Sequence, residues 1–362
     1  MNDHAARLDR ARTEMDVEGV DALCLSVGSD LPYLTGYRAM PLERLTMLVA
    51  VGADRPVLVV PELEAPRVDT GPDTFDVRPW SEGEDPIAIV DQILGRARRV
   101  AIGDETWTKF SLALQNVGEA RAWVPAGDLM ARLRVIKSSS EIAALRAAAR
   151  TVDGVADAMA TVEWSGRTER ELSREFIDRT MAAGHESVDF AIIASGPNGA
   201  SPHHEPGSRT IVHGDVVVAD FGGHQGGYSS DTTRMFVVGR PPEGFDTVFA
   251  VVRDAQQSAT DAVRPGVTAA SIDAIARRII DDAGYGDHFI HRTGHGIGLD
   301  VHEHPYIVEG NDQVLESGMA FSIEPGIYLT GRWGIRIEDI VTVTDTGVEP
   351  LNQSDHDYRL VS

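Results

Sequence analysis

The sequence predicts two domains of different class, an α/β domain followed by a larger α+β domain with an antiparallel sheet. Two domains are expected because the chain has 362 residues, of which 42% are hydrophobic, and this is long for one core. Up to about residue 135, short apolar runs alternate with helical patterns. Beyond that point, runs of helix and runs of strand are separate. We therefore expect domains at 1–135 and 136–362.

The N-terminal α/β domain is predicted from an amphipathic helix and several short apolar strands. The helix covers residues 5–19, and further helical patterns lie near 86–98 and 108–121. The strands are the apolar runs at 21–27, 45–51, 56–60 and 99–103. No glycine-rich phosphate loop follows any of them, so the sequence indicates no nucleotide site.

The C-terminal α+β domain begins at a helix signal. The residues Ser138 to Glu141 place a serine cap in front of a periodic run over 142–160. Further helices are predicted at 168–183, 244–263 and 269–283. The predicted strands are at 190–194, 216–221, 232–238, 320–328 and 334–343.

Charge and cysteine content restrict the partners and the compartment. The formal net charge of −23 repels phosphate backbones and anionic lipid, so neither nucleic acid nor a membrane is expected as a partner. No apolar run approaches the length of about eighteen residues that a membrane span needs. The single cysteine, Cys24, cannot form an internal disulfide, and the charged N-terminus is unlike a secretory signal. We expect a cytoplasmic protein.

Four acidic residues of the C-terminal half lie in or directly after apolar strands: Asp220, Asp231, Glu324 and Glu338. Burying a carboxylate at such a position is costly unless a cation neutralises it. The glycines between the two aspartates suggest a hairpin that brings them together, although either aspartate alone is more often a cap or turn residue. Strand alternation puts Arg336 and Glu338 on one face, so a simple ion pair is the structural alternative there.

Histidines are concentrated in the same half, since only His4 of the 12 precedes residue 138. Four of them fall within 289–304, in the sequence FIHRTGHGIGLDVHEH, among glycines that let the backbone approach closely. With His295, the four acids supply oxygen ligands and one imidazole, which suits two divalent ions such as Mn²⁺, Fe²⁺ or Co²⁺. Two such ions activate water and polarise a carbonyl oxygen, so the set predicts an amide hydrolase. The alternative is a polar loop with incidental histidines.

The order Asp, Asp, His, Glu, Glu, in the contexts DFGG, SDTTR, GHGIGLDVHE, SIEPGIY and IRIED, resembles the pita-bread metallopeptidases. The segments IKSSSEIAALRAAA and LPYLTGY resemble the prolidase and aminopeptidase P branch of that family. This resemblance implies a creatinase/prolidase-like α/β N-terminal domain plus an α+β pita-bread C-terminal catalytic domain with an antiparallel sheet. Methionine aminopeptidases usually lack such an N-terminal domain.

The resemblance also implies site roles. Asp231 and Glu338 would bridge two metal ions per subunit, Asp220 would complete one, and His295 with Glu324 the other. The remaining expected roles are proton transfer by Glu324, catalysis by His203 and His302, and substrate binding by His291, Arg336 and Tyr228. His204 stands where relatives commonly have an aromatic residue, which leaves the choice between His203 and His204 open.

The expected activity is that of an Xaa-Pro dipeptidase. An Xaa-Pro bond is a tertiary amide without an N–H, so an enzyme that attacks it with metals needs no hydrogen bond to that group. The alternatives are an Xaa-Pro aminopeptidase acting on longer peptides and a non-catalytic binding module on the same fold. Mn²⁺ is the expected metal, with Co²⁺, Fe²⁺ and Zn²⁺ as alternatives. The expected partners are a proline-containing di- or oligopeptide and a second copy of the chain in a homodimer.

Overall fold

The structure is a computed structural model that describes residues 4–69 and 74–362. The chain divides into two compact units, a first that ends at Arg134 and a second over Val135–Ser362. Helices and strands alternate in the first unit, whereas the second unit has mostly antiparallel sheets with long helices. The predicted fold class is therefore confirmed. No helix in the described part of the chain is long and apolar enough to cross a membrane.

The first unit contains a mixed six-stranded sheet in the order β4-β3-β2-β1-β5-β6. Its strands are β1 (Ala22–Leu25), β2 (Met47–Val51), β3 (Val57–Pro61), β4 (Asp76–Trp80), β5 (Arg99–Ile102) and β6 (Ala122–Pro125). Its helices are α1 (His4–Glu18), α2 (Asp30–Thr35), α3 (Pro86–Leu94), α4 (Thr108–Gln115) and α5 (Gly127–Arg134), with a 3₁₀ turn at Ala65–Arg67. The apolar core includes Cys24, Val49, Val59 and Leu94.

Two strands of this sheet, β4 and β6, were not predicted from the sequence. Both are edge strands, and each contains a proline, Pro79 or Pro125, together with exposed positions. An edge strand tolerates proline because one row of its N–H groups is not needed for pairing. Such a strand lacks the continuous apolar run by which the central strands are recognised.

The second unit has four long helices. They are α6 (Ser139–Met159), α7 (Glu169–Ala182), α8 (Phe245–Ala262) and α9 (Ala269–Asp282). The predicted cap is present, since the Ser138 side chain accepts from the Glu141 N–H and Glu141 accepts from the Ser138 N–H. Short 3₁₀ turns lie at Gly196–Ala200 and Gly286–His288.

The strands of the second unit form a four-stranded sheet, β17-β9-β8-β7, a five-stranded sheet, β11-β10-β12-β15-β16, and the hairpin β13–β14. The strands are β7 (Ser187–Ser195), β8 (Val216–Gln225), β9 (Tyr228–Val238), β10 (Gly294–Gly296), β11 (Glu303–Ile307), β12 (Ala320–Ile323), β13 (Gly326–Leu329), β14 (Trp333–Arg336), β15 (Asp339–Val343), β16 (Val348–Pro350) and β17 (Arg359–Val361). Phe176 packs α7 onto β8 and β9, since its ring centroid lies 4.7 Å from that of Phe221 and 6.2 Å from that of Phe236.

The two predicted strands at 320–328 and 334–343 are each broken into two. The breaks lie opposite one another, because Ile323 pairs with Asp339 before them and Gly326 pairs with Arg336 after them. Pro325 has no N–H to continue the ladder. Glu324 and Glu338 occupy these breaks, so neither acid belongs to a strand. The prediction of one continuous strand over 334–343, with Arg336 and Glu338 both within it, is therefore wrong.

Candidate metal centre and substrate cavity

The five residues predicted as metal ligands meet in the second unit. Ligand atoms of Asp220, Asp231 and Glu338 lie within 4.8 Å of one another, and so do those of His295, Glu324 and Glu338. Glu338 therefore belongs to both groups. His302 forms a further group with Asp231 and His295, although the side chain of His302 is exposed.

The β8–β9 hairpin places the two aspartates together. In its register Asp220 pairs with Thr233, and Gly222 pairs with Asp231, so the aspartates are diagonal neighbours on one face. Gly222 is required by close approach, because a Cβ there would lie 2.1 Å from the carbonyl oxygen of Ser230. The glycines between the aspartates therefore allow the strands to pair tightly as well as to turn.

His295 is held on the short strand β10 between two glycines. A Cβ at Gly294 would lie 1.8 Å from the Ser322 carbonyl oxygen, and one at Gly296 would lie 2.1 Å from that of His304. Only glycine lets both neighbouring strands approach this closely. The imidazole Nε2 lies 3.3 Å from Glu324 Oε1 and 3.5 Å from Asp231 Oδ2.

The raised pKa values of three acids show that the fold supplies too little positive charge to neutralise this cluster. Burial raises the pKa of Asp231 and of Glu338 well above the usual range, and the neighbouring carboxylates raise both further. Burial also raises the pKa of Glu324 to about 7 and lowers that of His295 to about 3. The imidazole is therefore in the neutral form that binds metals.

Two oxygen atoms of the cluster have the character of metal ligands. Asp220 Oδ1 and Glu338 Oε1 are buried and have no hydrogen-bond partner among residues 4–69 and 74–362. Buried carboxylate oxygens are rarely left in this state unless they bind a metal ion. Four acids and one neutral imidazole thus fit two divalent cations in charge and in donor type.

Arg336 supplies one positive charge beside the cluster. Its guanidinium is buried and pairs with Asp220, so the ion pair with Glu338 that the sequence suggested as an alternative is not the one formed. The guanidinium also donates to the Tyr328 hydroxyl and to Thr233 Oγ1, both at 2.9 Å. One guanidinium cannot neutralise four acids, which agrees with the raised pKa values of the cluster.

A cavity of about 620 Å³ opens over the cluster. The predicted substrate residues that line it are His203, His291, His302 and Arg336. His204 does not contribute to its lining and instead lies with Nε2 2.8 Å from Glu169 Oε2. Tyr228 is also absent from the lining, and its hydroxyl donates to Glu141 Oε1 at 2.9 Å.

Several cavity residues were not identified from the sequence. Phe190 and Ile192 come from one face of β7, and Ile192 pairs with Asp220, which places these apolar side chains beside the acids. Their spacing of two residues was the available signal. Arg292 also lines the cavity, and the Tyr328 hydroxyl lies 2.8 Å from His291 Nε2. Tyr328 was missed because it lies within an apolar strand.

The buried cluster of acids and one imidazole below an open cavity has the donor types of a site for divalent metal ions. The chain belongs to metallopeptidase family M24, whose family model matches residues 143–345. A second model, the creatinase/prolidase N-terminal domain, matches residues 7–136. The protein is thus a hydrolase of this family, and the predicted resemblance to the pita-bread metallopeptidases is confirmed.

Relatives of this chain match over nearly its whole length. It is 42% identical to the probable dipeptidase PepE of Mycobacterium tuberculosis, over 99% of this chain and 96% of the relative. It is 34% identical to the Xaa-Pro dipeptidase of Lactobacillus delbrueckii subsp. lactis, over 98% of each chain. The crystal structure of the prolidase from Thermococcus sibiricus superposes with a TM-score of 0.93 at 36% identity, over 100% of both chains.

Proposed function

We propose that this protein is a dinuclear-metal Xaa-Pro dipeptidase. The observation that carries the proposal is the pair of buried, unpartnered carboxylate oxygens, Asp220 Oδ1 and Glu338 Oε1, at the base of a cavity lined by histidines. Relatives named dipeptidase and Xaa-Pro dipeptidase support the substrate class. An Xaa-Pro aminopeptidase is the second candidate. The homodimer and the cytoplasmic location stay predictions.

The two metal ions would be held by the two overlapping groups of ligands. Asp220, Asp231 and Glu338 would hold one ion, and His295 and Glu324, with Glu338 and Asp231 beside them, would hold the other. Mn²⁺ is the proposed metal because oxygen donors predominate. When bound, such ions lower the pKa of water and polarise the scissile carbonyl.

Proton transfer is assigned to Glu324. Its carboxylate lies at the base of the cavity, and Ser322 Oγ donates to Glu324 Oε1 at 3.1 Å, which orients the group. An oriented carboxylate can accept a proton from the attacking water and deliver it to the leaving proline nitrogen. That delivery is necessary because the proline nitrogen leaves far more readily as a neutral amine than as a nitrogen anion.

Carbonyl binding is assigned to His203 and His302, which line the cavity. Although His302 is exposed overall, partial desolvation of its ring lowers the pKa, so the ring is neutral and can donate one N–H to an oxygen atom. A donor aimed at the oxygen that gains negative charge stabilises the transition state more than the bound substrate. We assign His203 rather than His204 to this role because the His204 ring faces Glu169.

The choice between dipeptidase and aminopeptidase depends on recognition of a substrate carboxylate, which we assign to Arg336 with His291 as a wall of the pocket. Four of the five guanidinium N–H groups have partners among the described residues: Thr233, Tyr328, the Pro202 carbonyl and Asp220. The fifth would bind the carboxylate of proline. A tripeptide moves that carboxylate by about 3.3–3.6 Å along an extended chain.

One substrate panel tests the proposal. Protein treated with EDTA and then reloaded with Mn²⁺ is assayed on Xaa-Pro, Xaa-Pro-Yaa and dipeptides without proline. We expect cleavage of Xaa-Pro only after reloading and much slower cleavage of the other two classes. Full activity without metal would refute the metal mechanism. Equal cleavage of Xaa-Pro and Xaa-Pro-Yaa would favour the aminopeptidase over the dipeptidase. If neither Xaa-Pro nor Xaa-Pro-Yaa is cleaved, the binding module is the remaining candidate.

A further inference from the structure

The segment from Ser195 to Gly207 carries His203 into the cavity but has little regular structure. It begins where β7 ends, includes the 3₁₀ turn Gly196–Ala200, and passes through Pro202 and His203, which both line the cavity. Side chains on irregular segments need support from neighbouring residues if they are to keep a fixed position. The structure shows where that support comes from.

One buried carboxylate holds this segment at several points. Glu169, the first residue of α7, is 0% exposed and accepts five hydrogen bonds. Its Oε1 accepts from the Ser195 N–H at 2.8 Å, from Ser195 Oγ at 2.7 Å and from Asn198 Nδ2 at 2.9 Å. Its Oε2 accepts from His204 Nε2 at 2.8 Å and from the Gly207 N–H at 3.1 Å. All five donors belong to the segment.

The other side of the segment packs against the strand that ends in Arg336. A Cβ at Gly334 would lie 2.0 Å from the Gly199 carbonyl oxygen, so the two backbones are in direct contact. Arg336 Nη1 donates to the Pro202 carbonyl oxygen at 3.4 Å. The segment is therefore fixed between Glu169 and β14, with His203 immediately after the residue that Arg336 contacts.

Glu169 can do this only as a carboxylate anion. Burial raises its pKa, but the hydrogen bonds from Ser195, Asn198 and His204 more than offset that effect, so its pKa lies below the usual range. Hydrogen bonds to an ionised acceptor are shorter and stronger than neutral ones. A glutamine side chain has only one oxygen, and its N–H₂ group cannot accept a hydrogen bond. Some of the five donors would therefore be left without an acceptor.

We propose that Glu169 is a positioning residue for hydrolysis, which holds His203 in the cavity through the Ser195–Gly207 segment. Glu169 itself does not line the cavity, so it acts through another residue. His204 belongs to this support and orients its neighbour. This inference rests on the proposed function, since it assigns His203 to the substrate.

The first test compares Glu169→Gln with Glu175→Gln. Glu175 lies on the same helix but pairs with Arg167 and Arg179 and does not contact the segment. We expect Glu169→Gln to lower kcat for Xaa-Pro by roughly 10–100-fold, as is typical when the partner of a site residue is lost, with little change in KM. Glu175→Gln should keep kcat, and both variants should keep their Mn²⁺ content.

The second test asks whether the effect passes through His203. In a double-mutant cycle, Glu169→Gln should lower kcat far less when His203 is already alanine. Equal losses in the two backgrounds would show a general structural effect and overturn the proposal. An unchanged kcat for Glu169→Gln would overturn it as well. If Glu169→Gln does not fold, His204→Phe enters the same cycle, with an expected loss of about 3–10-fold from one missing hydrogen bond.

A third measurement does not depend on activity. In metal-free protein, amide hydrogen exchange at residues 195–207 should be faster in Glu169→Gln than in the wild type, while exchange in β8 and β9 is unchanged. Unchanged exchange in the segment would refute the support by Glu169. If the wild type cleaves no Xaa-Pro peptide, the proposed function fails. The exchange measurement still decides whether Glu169 stabilises residues 195–207.

Discussion

Glu338 and Asp339 are adjacent in sequence and both are buried, at 1% and 4% exposure, yet their carboxyl groups behave in opposite ways. Burial and the neighbouring acids raise the pKa of Glu338 well above its usual range. Burial also acts to raise the pKa of Asp339, but Arg234 and His356 more than offset it and the pKa is lowered. The fold thus supplies positive charge for one acid and not for its neighbour.

The difference lies in the partners of each side chain. Asp339 Oδ1 accepts from Arg234 Nη2 at 2.7 Å, and Asp339 Oδ2 lies 2.6 Å from His356 Nε2. Glu338 Oε2 accepts from Thr233 Oγ1, whereas Glu338 Oε1 has no partner in residues 4–69 and 74–362. Both carboxylate oxygens of Asp339 thus have cationic or imidazole partners within the fold, whereas Glu338 keeps one buried oxygen for a ligand from outside the chain.

The largest expected effect separates these two acids by mutation. Glu338→Gln should lower both the Mn²⁺ content and the rate of hydrolysis. Loss of a residue that only supports a metal ligand usually costs up to about 100-fold, so loss of a ligand itself should reduce the rate by more than that. In EDTA, the same variant should be at least as stable as the wild type, because it replaces a buried carboxyl that must either take up a proton or stay charged without compensation. Metal content, rate and urea unfolding measure the three quantities.

The matched variant is Asp339→Asn. It removes the nearer carboxylate partner of buried Arg234, at 2.7 Å, and leaves Asp153 at 3.5 Å, so it should cost up to about 3–5 kcal/mol of unfolding free energy. Bound Mn²⁺ per folded molecule should change little. If Asp339→Asn loses metal and Glu338→Gln loses only stability, the assignment of the two acids is reversed.

The second expected effect is a pH dependence of the metal-free protein. Acids whose pKa is raised on folding bind more protons in the folded state than in the unfolded state, so the free energy of unfolding falls as pH rises. For Glu324 this decline lies between its ordinary value of 4.5 and about 7. We expect Glu324→Gln to weaken the decline in urea unfolding series in EDTA, and saturating Mn²⁺ to oppose it by binding the ionised form. An identical slope in wild type and variant would contradict the assignment.

The five side chains that meet in the acid and imidazole cluster could be predicted from the sequence, whereas the residues that support them could not. Asp220, Asp231 and His295 lie beside glycines or apolar strands, where a buried polar side chain is costly without a partner such as a metal ion. The breaks beside Glu324 and Glu338 were missed because the apolar pattern continues across them. The role of Glu169 was not visible because its donors lie 26–38 residues away in the chain and meet it only after folding.

The third effect concerns the two buried arginines. Arg234 donates to Asp339 and to the Glu338 carbonyl oxygen, whereas Arg336 contacts Asp220 and lines the cavity. Arg336→Ala should raise KM for Xaa-Pro by roughly 10–150-fold, as expected for one lost charge-assisted hydrogen bond of about 1.5–3 kcal/mol, and should narrow the preference for Xaa-Pro over Xaa-Pro-Yaa. Arg234→Lys, the control, should lower stability and leave KM unchanged. A KM effect confined to Arg234→Lys would refute the carboxylate role of Arg336.

The smallest expected effect concerns Tyr228, which the sequence resemblance assigned to substrate binding. Its hydroxyl donates to Glu141 in the cap of α6, so it resembles Asp339 in having a partner within the fold. Tyr228→Phe should therefore cost about 1 kcal/mol of unfolding free energy, the usual value of one hydrogen bond, and change kcat by less than about twofold. Glu141→Gln should produce a similar loss of stability. If Tyr228→Phe lowers kcat tenfold with stability unchanged, Tyr228 acts at the metal centre. In that case, a hydrogen-bond partner within the fold is not enough to mark a residue of this protein as structural.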